Sequence, residues 1–217
     1  MAFLKHLLLS LLLLSGFVFA DDDWSLVRDS NNIKVWTRLE AGHPVRTFKA
    51  TTVVRSTVTG LVALILDTAN ASRWIYRIDH VEVLSRDDEK ASFVVRVVTD
   101  FPWPLNDRDV VVMGQVMQDE KTGIVNISSH TPAKGQYADV PGYVRIPDFD
   151  GQWQFRPLSG GLVEVTMTGR ADPGGIIPAS AVNLIIHETP YYTLKGLRKV
   201  IGDPRYQKAQ LQQIREP

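Results

Sequence analysis

The sequence predicts an α+β protein in which one long curved antiparallel sheet grips a helix near the C-terminus. Three observations carry this. Short runs rich in Val, Ile and Thr follow one another through the middle of the chain. Turns of hairpin length separate most of them, and short turns join antiparallel neighbours. From Pro178 onward Val182, Ile185, Ile186, Thr189, Tyr192 and Val200 recur at multiples of three and four, which is the apolar stripe of an amphipathic helix.

In chain order, residues 24–29 are expected as a short opening helix closed by Asn31-Asn32. Alternation of Ile33, Val35, Thr37 and Leu39 with polar or larger residues predicts a strand over 33–39. Gly42-His43-Pro44 turns the chain into a second strand over 45–55. Ser56 or Thr57 then caps a helix running to Asp67, with Leu61, Leu64 and Ile65 on one face. Strands follow over 78–86 and 91–99 around the polar turn Asp87-Asp88-Glu89-Lys90, and Phe101-Pro102-Trp103-Pro104 interrupts the ladder. The remaining strands are expected over 110–118, 124–129, 143–146, 152–156 and 162–170, with turns at 148–151 and 159–161. The last helix spans 178–201, kinked near 186–189 by Pro190 and ended by Gly202-Asp203-Pro204.

Two domains of organisation emerge. Residues 1–20 have the order of a secretory signal peptide: Lys5, an apolar run from Leu7, then Val18-Phe19-Ala20 before Asp21. The apolar run falls short of the roughly 20 residues that cross a bilayer. Residues 21–217 form the mature domain, expected in the periplasm of a bacterial cell and secreted otherwise. The 217 residues carry 24 basic and 24 acidic side chains, so bulk charge offers nothing to nucleic acid. With no cysteine, disulfides, thiolate metal sites and thiol nucleophiles are excluded.

The distinctive motifs lie in the second half: Asn106-Asp107-Arg108-Asp109; Gly142-Tyr143-Val144-Arg145; Gly151-Gln152-Trp153-Gln154-Phe155-Arg156-Pro157-Leu158; Asp172-Pro173-Gly174-Gly175; Asn183; and Leu194-Lys195-Gly196-Leu197-Arg198. In this order and spacing they resemble the START domain, the StAR-related lipid-transfer module, over about residues 24–201. The resemblance implies a helix-grip fold whose sheet and C-terminal helix enclose a hydrophobic tunnel for one lipid. It implies transient membrane contact during ligand exchange, a monomer, and no cofactor.

Within that frame Arg108 matches a family position that faces the cavity in several members; the alternative is an ion pair with Asp107 or Asp109. His80 stands where some members place an acid on the preceding strand. Asn126 and Ser128 share one strand face and suit a hydroxyl or phosphate. Tyr192 and Ile185 lie on the terminal helix, where a phenol joins apolar packing to one hydrogen bond. Trp153, with Trp103, has the makings of an aromatic cage. The rival readings are a polyketide-cyclase-like enzyme, using an acid–base pair from His80 and Glu82, and a ligand-free interaction module. The chain contains no G-x-S-x-G, H-E-x-x-H or Walker pattern, and no histidines at metal-ligand spacing.

Overall fold

The computed structural model describes residues 24–216, and the expected signal peptide lies outside them. The elements are β1 (Ser25–Ser30), β2 (Ile33–Arg38), β3 (Thr47–Arg55), α1 (Val58–Leu66), β4 (Ile78–Asp87), β5 (Ser92–Thr99), β6 (Arg108–Gln118), β7 (Val125–His130), β8 (Val144–Arg145), β9 (Asp148–Leu158), β10 (Leu162–Asp172), α2 (Ala179–Ile185), α3 (Glu188–Val200) and α4 (Pro204–Gln207). They form one open sheet in the order β1-β2-β3-β10-β9-β7-β6-β5-β4. Every pair is antiparallel except β8, which runs parallel to β6.

The expected opening helix is a strand. Asn31 and Asn32 hold φ of 54° and 56°, so they make a two-residue turn that folds β1 back on β2 with Ser30 opposite Ile33. Asn tolerates this left-handed backbone well, and such turns match the twist of paired strands. The expected turn at 148–151 is also absent, because β9 runs straight through it, pairing Asp148 with Asp172 and Gly151 with Gly169. The terminal helix is divided rather than kinked. It breaks at Ile186 and His187, and Pro190 then sits in the first turn of α3, where its missing N–H leaves no helical bond unmade.

One half of the concave face is a solid core. Ile33, Val35, Ala50, Phe155 and Val165 point inward from β2, β3, β9 and β10, and α3 lays Tyr191, Leu194 and Leu197 on them. Each such Ile, Val, Leu or Phe side chain contributes about 1.5–3 kcal/mol on burial. Gly196 lets α3 rest on the backbone carbonyl of Trp74, where any Cβ would collide.

The C-terminal tail completes α1. The Thr57 hydroxyl accepts from the Gly60 N–H at 3.0 Å. The Glu216 carboxylate accepts from the N–H groups of Val58 and Thr59 at 3.2 and 2.7 Å. A negative group there meets both the free donors and the positive end of the helix.

The convex face is held by charge. Asp109 accepts from Arg96 Nε at 2.9 Å and from Arg145 Nε and Nη2 at 2.9 Å each. Arg96 also reaches Glu82 at 3.0 Å and lies beneath the Tyr143 ring. This cluster pins residues 137–145 over the outside of β5 and β6. Burial pushes the Asp109 carboxyl upward, but the hydrogen bonds from Arg145 and Arg96 outweigh it and hold the group below the usual carboxylate range.

Two predictions follow from these anchors. Asp109→Asn removes the buried carboxylate shared by Arg96 and Arg145, leaving them only the exposed Glu82 and Asp139, and should cost about 3 kcal/mol in urea unfolding. Because the folded pKa is lowered, the Asp109 contribution is present above the unfolded value, about 3.9, and is lost as pH falls through the folded one. Acid should therefore narrow the gap between wild type and variant below about pH 4. Separately, Glu216→Ala should cost about 1 kcal/mol and speed amide exchange at Val58 and Thr59, with distant strands unchanged.

Candidate functional site

The other half of the concave face is not filled by α3. Along β5, β9 and β10, the inward residues Phe93, Val97, Phe149, Trp153, Met167 and Ala171 stay half-buried, with Phe93 and Trp153 at the border of the α3 core. Val95, Val110, Val112 and Ile146 form a small buried apolar wall beside them. Arg108 stands at one end of that wall.

Strand alternation decides its direction. Arg108 opens β6 on the same face as Val110 and Val112, and neighbouring Asp109 takes the opposite face. The Arg108 side chain is 2% exposed. Its Nε donates to the Pro173 carbonyl at 3.3 Å, its Nη1 donates to the Asn106 carbonyl, and its guanidinium lies 4.2 Å from the Phe101 ring centre. Neither expected ion pair forms. Asp107 instead accepts from the Phe101 N–H at 2.9 Å, and Asp109 belongs to the convex cluster. Among the described residues no carboxylate lies at ion-pair distance from Arg108. Burial pushes its pKa below the usual guanidinium range, with the attraction of Asp107 working the other way.

The other residues singled out from the sequence separate by face. Trp153 points inward from β9, edge-on to Trp74 at 6.0 Å and tilted against Phe155 at 6.3 Å. Trp103 is 92% exposed at the tip of the β5–β6 loop, so the two tryptophans form no cage. Tyr192 is half-buried on α3 and stacks on Tyr76 at 4.9 Å. Tyr191, beside it, is buried, its hydroxyl accepting from Asn31 at 2.7 Å beneath the Arg28 guanidinium. The Ile185 side chain lies outside the described residues.

His80 and Asn126 lie on the convex face. A bulge in β4 between Ile78 and His80 sets His80 opposite Val98 rather than Val97, which turns it outward. There it meets Asp79 at 2.6 Å, and Glu82 meets Arg96, so the expected acid–base pair does not face the interior. Asn126 accepts from Gln152 and Gln154 at 3.2 and 3.1 Å across the outer ladder. Sequence reading missed the bulge, Phe101 and Phe149. The only available signal for the last was an aromatic residue two positions before a strand glycine.

Helix α2 follows β10, and Asn183 ties it to the start of β3. The Asn183 side chain accepts from the Arg46 N–H at 2.9 Å and donates to the Pro44 carbonyl at 3.1 Å. Before it, Gly174 and Gly175 both hold φ of +67°, a backbone that side chains resist. Among the described residues no group of His, Asp and Glu is arranged to hold a metal ion, and no helix is long and apolar enough to cross a membrane.

Comparison with known proteins agrees with this architecture. The chain matches the START domain family model over residues 12–205. It is 30% identical over 178 residues to an uncharacterized protein of Pseudomonas aeruginosa, a match covering 82% of this chain and 86% of the relative. StAR-related lipid transfer protein 7, mitochondrial, of Mus musculus is 27% identical over 140 residues, which are 63% of this chain and 37% of that longer protein. The crystal structure of a STAR-related lipid transfer protein fragment from Xanthomonas axonopodis is similar at a TM-score of 0.76 and 29% identity, over 83% of this chain and 99% of that one. Human STARD10, at 16% identity, shares the fold with a TM-score of 0.75 over 88% of this chain and 78% of its own. A family match running through every strand and through α3 makes the assignment plain: the chain belongs to the START family, on the helix-grip fold.

Proposed function

We propose that this protein binds a single lipid or comparable hydrophobic ligand between the sheet and α2, and carries it through an aqueous compartment after export. Membership of the START family supports a hydrophobic-ligand role. The observation that carries the finer reading is Arg108: a buried cation on an apolar inner wall, satisfied by carbonyls and a ring but facing no carboxylate. Burying a charge without a counter-charge is costly, and an electronegative head group on the ligand would supply one. The half-buried apolar side chains beside it suit the hydrocarbon that follows such a head. A carrier is favoured over an enzyme because His80 and Glu82 turn away from this wall and are engaged by Asp79 and Arg96.

Entry needs a wall that moves without unpairing strands. We assign this to α2, joined through Gly174 and Gly175 at one end and the break at Ile186 at the other, with Asn183 as its latch. Contact with a donor or acceptor membrane is part of the same proposal, as are a monomeric state and the periplasm as compartment in a bacterial cell.

Native mass spectrometry of protein purified gently from its own host should show one lipid mass per chain. Folded protein recovered repeatedly without lipid would count against the reading. Arg108→Leu should weaken binding of the recovered lipid roughly ten- to hundred-fold, the range expected for one hydrogen bond to a charged group. Unchanged affinity in a variant that melts normally would make Arg108 a structural residue alone.

A further inference from the structure

Three glycines lie inside strands on the concave face where the backbone does not require them. Gly114, Gly151 and Gly169 have no positive φ, unlike the turn glycines. Glycine in a strand interior sacrifices chain entropy and packing, so some other benefit holds it there. Each is covered by a phenylalanine ring.

Phe93 faces Gly114 directly across β5 and β6, and its ring occupies the place of the missing side chain. Phe48 faces Gly169 across β3 and β10, where an added Cβ would come within 3.0 Å of Phe48 Cζ. Gly151 lies opposite Gly169, so the two make a bare patch on adjacent strands. Phe149, two residues before Gly151 on the same face, leans along its own strand over that patch, 2.8 Å from where a Cβ would stand.

The rings therefore lie low against the sheet instead of standing up from it. Phe149 nevertheless remains half-buried within the concavity and borders the apolar wall that leads to Arg108, whereas Phe48 is buried and Phe93 opens onto a pocket beside Arg86, Leu211 and Ile214. A ring that only plugged a gap would be covered on its upper side as well.

We propose that Gly151, through the Phe149 ring it seats beside Gly169, sets the depth of the ligand space and so selects the length of hydrocarbon that fits behind a head group at Arg108. This rests on the ligand-binding reading above. A methyl group at Gly151 would raise the Phe149 ring into the space. A smaller side chain in place of the ring would deepen it.

The test follows displacement of 1-anilinonaphthalene-8-sulfonate by straight-chain fatty acids from decanoic to octadecanoic acid. Wild type should favour a definite length. Gly151→Ala should move that optimum to shorter acids, with affinity for the previous best acid falling about fourfold for each methylene left in water. Phe149→Leu should move it to longer acids, and the double variant should return it toward wild type, because leucine leaves room for the new methyl. Thermal melting confirms that each variant is folded; should Gly151→Ala fail to fold, the direction of the Phe149→Leu shift decides alone. An unchanged length profile in folded Phe149→Leu would overturn the proposal and leave the glycines as packing sites. If wild type displaces the dye with none of the acids, the acyl-ligand reading itself falls, and this inference with it.

Discussion

The close approach of α3 to the backbone at Trp74 governs how the concave face is divided. Gly196 offers no side chain there, and Thr193, a turn earlier, accepts from the Tyr76 N–H at 3.2 Å. Farther along, Arg198 donates to the Asn31 carbonyl, and Tyr191 accepts from the Asn31 side chain. These contacts hold the helix over β2 and β3, at one side of the sheet. The inward residues of β5 and β9 that stay half-buried lie away from those two strands, and α2 is tied by Asn183 to the start of β3. A tightly packed part and a half-buried part of the inner face thus follow from where one helix can rest.

The second organising rule is the period of two along a strand. Arg108 and Asp109 are adjacent in sequence and do opposite things. Asp109 gathers Arg96 and Arg145 and clamps a long loop to the outside, and Arg108 stands within the apolar interior. Had the register of β6 slipped by one residue, the carboxylate would point at hydrocarbon and the guanidinium at the loop. Three partners of the convex cluster come from β4, β5 and the segment before β9, so that cluster opposes such a slip. The charged outer face protects the chemistry of the inner one.

Much of this was legible from the residues. The strand runs, the Thr57 cap and the position of the helix break all answer to local chemistry: β-branched content, a hydroxyl three residues before a free N–H, a proline. The opening hairpin was not legible, because β1 is a short edge strand with Leu26 and Val27 exposed, and no clean alternation survives there. The facing of His80 was hidden for another reason. A bulge changes parity without changing composition, and only the partner strand shows where it falls. Gly151 was misread as a turn because Asp and Gly favour turns; its use as a seat for Phe149 depends on Gly169 opposite it, eighteen residues away in sequence and adjacent in the sheet.

The joining of β3 to β10 carries a consequence for the order of assembly. The three strands nearest the N-terminus can pair among themselves, but their link to the rest of the sheet is a strand from the far end of the chain. Entropy of closing that long loop must be met before the pairing gives anything back, and topologies of this kind reach the native state slowly. Until β10 is in place, β3 presents an unpaired edge and the core beneath α3 has only one wall. Since α2 and α3 follow β10 directly, the strand that closes the sheet and the helix that fills it become available together. The last third of the chain therefore decides when the first third is locked, and a chain stopped short of β10 would leave its opening hairpin without a sheet to join.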